Sequence, residues 1–163
     1  LHEMITGKTR AGGKMAEMIR DRAVDIHTHL ADMTEQDQRH ELGRMVRASD
    51  VRVWSCDWGW CFFRPETARC HLPQPGHRVQ ALKPNDATRN PSTCCSCANL
   101  AVTDEHVDFW RARRTKWKKE LADYQRLGRD ELILVAKDRI NQSDAVLRLI
   151  GAAQRRSEMS DAS

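Results

Sequence analysis

Apolar residues recur every three or four positions near the start of the chain, and this spacing predicts a helix over residues 14–30. Its apolar face consists of Met15, Ile19, Ala23, Ile26 and Leu30. Thr34 followed three residues later by Asp37 is typical of the N-cap of a second helix. We therefore assign residues 14–49 to two N-terminal helices. The polar, glycine-containing residues 1–13 are predicted to be a linker.

The helical spacing is lost over residues 50–103, the cysteine-rich part of the chain. Alternating residues from Val51 to Trp54, a turn, and a returning strand from Cys61 predict a short β-hairpin. Residues 71–93 are rich in proline and asparagine and have no periodicity. A loop of that length inside a compact domain requires something else to hold it in place.

Helical spacing returns after Thr103, which is a good N-cap, with acidic residues in the first turn and His106 three positions on. The apolar line of this helix comprises Val107, Trp110, Trp117, Leu121 and Tyr124. Gly128 is expected to end it. A last helix is predicted to run to about Gln154, so residues 104–154 form a C-terminal helical pair. The polar residues 155–163 are predicted to be a disordered tail.

The six cysteines suggest what holds the central loop together. Cys94 and Cys97 form a C-x-x-C pair just before a helix, and Cys61 and Cys70 lie upstream. Four thiolates suit zinc, which is soft enough to prefer sulfur and takes tetrahedral coordination. Four sulfur ligands leave no position for water, so the predicted zinc is structural rather than catalytic.

Other residues offer alternatives to this ligand set. Cys56 and Cys95 are spare thiols, and the side chain of Cys95 is expected to point away from a metal held by its neighbours. His71 and His106 are possible substitute ligands. A set of reduced, buried cysteines without metal is the competing interpretation. The predicted fold class is mainly α, with helices at both ends, a short β-hairpin and an irregular zinc-stapled loop.

Composition limits the compartment and the partners. The chain has 163 residues, 40% hydrophobic and 31% charged, and no apolar run long enough to cross a membrane. Six cysteines without a signal-peptide pattern favour a reducing, cytoplasmic location. The net charge of +4 permits a nucleic-acid partner without requiring one. Because the chain begins with Leu1 rather than Met, we expect it to be part of a longer protein.

A cluster of basic residues in the first C-terminal helix is the second candidate site. Positive charge interleaved with Trp110 and Trp117 suits a phosphate backbone. The competing interpretation is a solvated helix face with two core tryptophans. The candidate DNA-binding residues are Arg111, Arg113, Arg114, Lys116, Lys118 and Lys119.

Catalysis has little support in the sequence. The single tyrosine, Tyr124, lies on an apolar helix stripe and is expected to be core. No G-x-S-x-G pattern and no phosphate-binding glycine loop occur. Cys61 with His71 could form a thiol–imidazole pair, but the surrounding thiols favour metal ligation. Whether the chain is an enzyme is therefore left open.

Two stretches resemble a known family. They are GWCFFRPETARC over residues 59–70 and NPSTCCSCANLAVTDEHVDFW over residues 90–110. Together they resemble the C-terminal, cysteine-containing tail of tyrosine-type site-specific recombinases (integrases) of bacterial mobile elements. Those tails have a Gly-x-Cys, a Thr-Ala-x-Cys, a Pro-Ser-x-Cys-x-x-Cys, then a Glu-His pair and a Trp-containing helix, all in this order.

The resemblance implies a role in DNA integration and recombination. The parent enzyme would use an Arg, a His-x-x-Arg group and a nucleophilic Tyr, and none of these can be assigned here. His40 is followed by Arg44 rather than by an arginine three residues on, and Tyr124 lies beyond the tail motifs. The resemblance therefore predicts a non-catalytic region that contacts DNA, integrase subunits or the rest of its parent. The alternative is a zinc-stapled protein-interaction module with no nucleic-acid role.

Overall fold

The computed structural model describes residues 2–5, 9–48, 51–71 and 81–161. Within these residues it contains six helices and four strands, besides three short 3-10 turns. In chain order they are α1 His2–Ile5, β1 Ala11–Gly12, α2 Lys14–Leu30, α3 Glu35–Ala48, β2 Arg52–Cys56, β3 Gly59–Phe63, α4 Pro91–Cys94, β4 Leu100–Thr103, α5 Val107–Arg126 and α6 Asp130–Asp161. The 3-10 turns are Pro65–Thr67, Arg69–His71 and Asp104–His106.

The strands form one antiparallel sheet in the order β1-β4-β3-β2. The predicted hairpin is present as β2 and β3, with Cys56 opposite Gly59 at its turn. The sequence did not reveal that β4 pairs with β3, with Cys61 opposite Leu100. The predicted mainly helical class with helices at both ends is confirmed, and the sheet is larger than the hairpin alone.

Strand β4 is buried on both faces, and this explains its unbroken run of apolar residues. Ala101 faces α2, where it packs with Met15 and Phe62. Leu100 and Val102 face the opposite side. The sheet is thus covered by the N-terminal helices on one face and by the C-terminal helices on the other.

The C-terminal helices form the larger part of the core. Trp110 of α5 and Val146 of α6 are fully buried beside Ile150, which is 2% exposed. The Trp110 indole also donates a hydrogen bond to the Trp58 carbonyl at 3.0 Å. This bond ties α5 to the hairpin turn, so the sheet and the helical pair are held in one core.

The N-terminal helices begin and end close to their predicted positions. Thr34 caps α3, because its hydroxyl accepts from the Asp37 amide at 3.2 Å. The linker predicted over residues 1–13 was wrong. That stretch contains α1, whose Ile5 is buried, and β1, which pairs with β4. Short apolar pieces between glycines carry too little periodicity to predict such elements.

The ends of the C-terminal helices are set by their caps. The Thr103 amide donates to Nδ1 of His106 at 3.1 Å, which forms a capping box at the start of the helix. Gly128 has a φ of 64°, the left-handed conformation that ends helices. Helix α6 continues to Asp161, so the predicted end at Gln154 was wrong, and the predicted disordered tail is helical for most of its length. No helix within the described part of the chain is long and apolar enough to cross a membrane.

Candidate metal centre and basic helix face

The four candidate ligand cysteines lie on four segments of the cysteine-rich region. Cys61 is in β3, Cys70 is in the 3-10 turn Arg69–His71, Cys94 ends α4, and Cys97 precedes β4. The pairing of β3 with β4 brings the first of these segments beside the last. The amide of Cys97 donates to the Cys94 carbonyl at 2.8 Å, a tight turn that holds the C-x-x-C pair together.

Helix α4 is short, and its start is fixed by a side chain. The Asn90 carboxamide oxygen accepts from the amides of Ser92 and Thr93, each at 3.0 Å. Pro91 occupies the first helical position, where its missing N–H costs nothing. This cap orients the single helical turn that carries Cys94.

The segment around Cys70 is attached to the C-x-x-C turn by polar side chains. The buried Asn99 donates to the Arg64 carbonyl at 2.9 Å and accepts from the Thr67 hydroxyl. Arg69 donates to the Ser96 hydroxyl at 2.6 Å. These contacts, which link residues far apart in sequence, bring Cys70 to the same side of the sheet as Cys61.

The four candidate ligand cysteines influence one another electrostatically. In every one of the six pairs that they form, charge on one sulfur raises the pKa of the other. Burial is the larger effect, and it raises the pKa of both Cys61 and Cys94 to about 12. As thiols these groups are protonated and unreactive at neutral pH, which disfavours the Cys61–His71 thiol enzyme.

The two spare cysteines differ in their surroundings. The charges with the largest effects on the pKa of Cys95 belong to Arg113, Asp138 and Arg69. Its thiol donates to the Ser92 carbonyl at 3.2 Å. Cys56 instead lies close enough to raise the pKa of Cys61 and of Cys94. Of the two spare thiols, Cys56 is thus the one whose charge is coupled to proposed ligands.

Several N–H donors face these sulfurs, as they do around bound thiolates. The amide of Asn85 donates to the sulfur of Cys70 at 3.5 Å. The Trp58 indole N–H is buried without an oxygen acceptor, and it lowers the pKa of Cys94 against the effect of burial. Arg89, which has a buried and unpaired Nη1, lowers the pKa of Cys70. Unpaired donors of this kind favour anionic sulfur.

The side chains of the candidate ligand cysteines do not form a complete metal coordination shell. Among the described residues no group of three or more His, Cys, Asp or Glu is arranged to hold a metal ion. Turning a cysteine from one staggered rotamer to another moves its sulfur by about 3 Å. Ligation by the four candidate cysteines would thus require their side chains to rotate.

The two histidines proposed as substitutes have different roles. His106 is committed to the capping box through Nδ1. His71 is buried, its Nε2 bonds to the Lys83 carbonyl at 3.0 Å, and its Nδ1 has no partner in the described chain. The Nε2 of His106 is 3.9 Å from a Glu105 carboxylate oxygen, so the buried Nδ1 of His71, unpartnered among the described residues, is the more available nitrogen of the two.

The candidate DNA-binding residues divide into two groups. Arg113 points into the protein and joins α5 to α6 and α4. It donates to the Arg139 carbonyl, the Ser143 hydroxyl, the Ser92 hydroxyl and the Gln142 carboxamide at 2.7–2.9 Å. It also lies over the ring of Trp110, 5.6 Å from the centroid. Arg113 is therefore a structural residue, although the sequence placed it in the basic cluster.

The remaining basic residues lie nearer the surface. Arg114 pairs with Asp144 at 3.1 Å, and Arg111 pairs weakly with Asp108 at 3.8 Å. The exposed lysines, as we call Lys116, Lys118 and Lys119, have no ion pair among the described residues. They are the members of the predicted set whose charge is available to a phosphate.

Two aromatic residues predicted to be core are only partly covered. Trp117 and Tyr124 are half-buried on α5, where α6 is the neighbouring element. A hydrogen bond with Glu120 raises the pKa of Tyr124.

The outer end of the α5–α6 hairpin exposes apolar side chains. Leu127 is 60% exposed and Leu134 is 67% exposed, and Leu132 and Val135 are also exposed. A concentration of large aliphatic residues in solvent is typical of a contact surface. We refer to these four residues as the hairpin-tip patch.

Comparisons with protein-family models, with curated proteins and with solved structures give no match to this chain. The resemblance to integrase tails stays a prediction that depends on the two sequence stretches alone.

Proposed function

We propose that this chain is a non-catalytic, zinc-organised module that supports DNA integration and recombination. In this proposal Cys61, Cys70, Cys94 and Cys97 hold one structural zinc ion. The observation that supports it is the electrostatic coupling of these four thiols, which come from four segments separated by up to 36 positions, counted from Cys61 to Cys97.

The surrounding chemistry supports a metal better than it supports four free thiols. Buried polar donors without partners cost free energy, of the order of 1–3 kcal/mol each. Trp58 and Arg89 carry such donors beside the cluster. Thiolates held by zinc would accept these hydrogen bonds, whereas neutral thiols are weak acceptors.

Zinc content measured together with thiol accessibility tests this part of the proposal. We expect one zinc per purified chain and four thiols that become reactive only after a chelator removes the metal. Loss of helical circular dichroism should accompany chelation, because the metal joins the sheet to the 3-10 turns. A chain that contains no zinc after reconstitution under reducing conditions would refute it.

The exposed lysines support direct contact with DNA. They are exposed on α5, whereas Trp110 on the same helix is buried, and no ion pair among the described residues neutralises them. A phosphate backbone is the partner that such a surface recognises without sequence specificity. Duplex binding that weakens with salt, and loses part of that dependence when the lysines become glutamine, is the expected result. Binding with an unchanged salt slope would remove the lysines from the interface.

A protein-interaction module is the second candidate function, and the hairpin-tip patch favours it. The patch lies at the end of α5 and the start of α6, away from the sheet, where a recombinase subunit could pack against it. Replacing Leu134 by Glu should abolish subunit association and leave DNA affinity intact. Intact subunit association together with weakened DNA affinity would favour the DNA role alone.

A further inference from the structure

A groove of about 290 Å³ lies between α2, α3 and β3, on the face of the sheet away from the cysteines. Its walls include Met15, Met18, Ile26, Leu42, Met45 and Phe62. Three of these six residues are methionines, whose flexible thioethers adapt to ligands of irregular shape. The volume is at the lower end of that of small-molecule sites, which suits a ligand of about fifteen non-hydrogen atoms.

The charges that border this groove are both positive. Arg22 is exposed and has no ion pair among the described residues. Arg64 is half-buried, and its Nε is completely buried without a hydrogen-bond partner. Its Nη1 reaches only the sulfur of Met18, at 3.8 Å, which is a weak acceptor.

An unpaired guanidinium beside an apolar groove is complementary to an apolar anion. The edge formed by Nε and the second Nη of Arg64 makes no hydrogen bond in the described chain. This fork matches the two oxygens of a carboxylate. A carboxylate would displace the guanidinium from the thioether, satisfy the buried Nε, and leave an attached alkyl chain along the methionine-lined walls.

We propose that the α2–α3 groove binds a single-chain fatty carboxylate, with its head group on Arg64 and Arg22 and its alkyl chain between the two helices. A peptide or a second protein would cover a much larger area than this groove offers. The proposal depends neither on zinc nor on DNA, so its failure would leave the proposed function untouched.

Calorimetric titration of the full, zinc-loaded chain with octanoate, decanoate and dodecanoate below their micellar concentrations tests the proposal. Each buried methylene should tighten binding about fourfold, until the groove is full. Dodecylamine, which has the same chain and the opposite charge, should bind at least tenfold more weakly. Equal binding of both dodecyl compounds, or no increase with chain length, would overturn the proposal.

A substitution of Arg64 tests its contact with the head group, with the fold verified separately. Arg64→Gln should weaken dodecanoate binding about 10- to 100-fold, the effect of losing charge-assisted hydrogen bonds. Because the side chain contacts only a thioether, the variant should fold normally, and circular dichroism with zinc content verifies this. Arg39→Gln, the same substitution on the outer side of α3, should bind like the parent. Equal affinities of the two variants would show that Arg64 does not hold the head group.

Discussion

Arg113 provides the sharpest test of how the C-terminal helices are held together. Its guanidinium makes four hydrogen bonds, three to α6 and one to α4, and lies over Trp110. Each bond contributes about 1 kcal/mol net, and truncation also leaves buried oxygens without donors. Desolvation of the guanidinium, which lowers the pKa of Arg113, offsets part of this gain. We therefore expect Arg113→Ala to destabilise the chain by about 3 kcal/mol.

Urea unfolding of the protein, followed by circular dichroism, measures this loss. With a slope of about 2 kcal/mol/M, the midpoint should fall by about 1.5 M. Arg111→Ala is the matched control on the same helix, since its pair with Asp108 is exposed and long. It should change stability by less than about 0.5 kcal/mol. If both variants unfold at the same midpoint, Arg113 does not organise the core.

Three other predictions concern the caps and the basic surface. Gly13→Ala should destabilise the protein strongly in thermal unfolding, because φ at this position is 101° and an added Cβ would lie 2.8 Å from the Leu100 carbonyl oxygen. Gly128→Ala should cost only about 1 kcal/mol, because its φ is 64° and an added Cβ would have no atom within 4 Å. Burial lowers the pKa of His106 in the folded state. The contribution of this histidine to stability should therefore be complete above about pH 6.5. As the pH falls further, that contribution should decrease by at most about 1.4 kcal/mol per pH unit. His106→Gln keeps the cap and should remove that pH dependence, and an unchanged profile would assign it to another group. Replacing all three exposed lysines by glutamine should reduce the slope of the logarithm of the DNA association constant against the logarithm of the salt concentration by up to about 2.7.

The helices could be predicted because their signals are local. The apolar spacing from Met15 to Leu30, the cap at Thr34 and the stop at Gly128 each act over a few residues. Strand β4 was missed as a strand because it is only four residues long and buried on both faces, which removes the alternation that marks a strand.

The chemistry of the candidate site could be predicted only in part. The thiols were recognisable from their type and spacing, and in the structure they influence one another electrostatically, but the zinc stays a prediction. Arg113 was assigned to the basic surface because charge alone does not reveal that a side chain points inward. Trp58 and Arg89 were missed as donors to sulfur, because they approach the cluster only through tertiary contacts.

Zinc content of two adjacent cysteine variants tests the central claim most directly. Cys94 is one of the four proposed ligands and is buried, whereas Cys95 is only partly buried and is not a proposed ligand. Circular dichroism of both variants verifies that each is folded before their zinc content is compared. We predict one zinc per chain in the parent protein and in Cys95→Ser, and loss of zinc in Cys94→Ser. Equal zinc content in the two variants, or no zinc in the parent, would contradict the account.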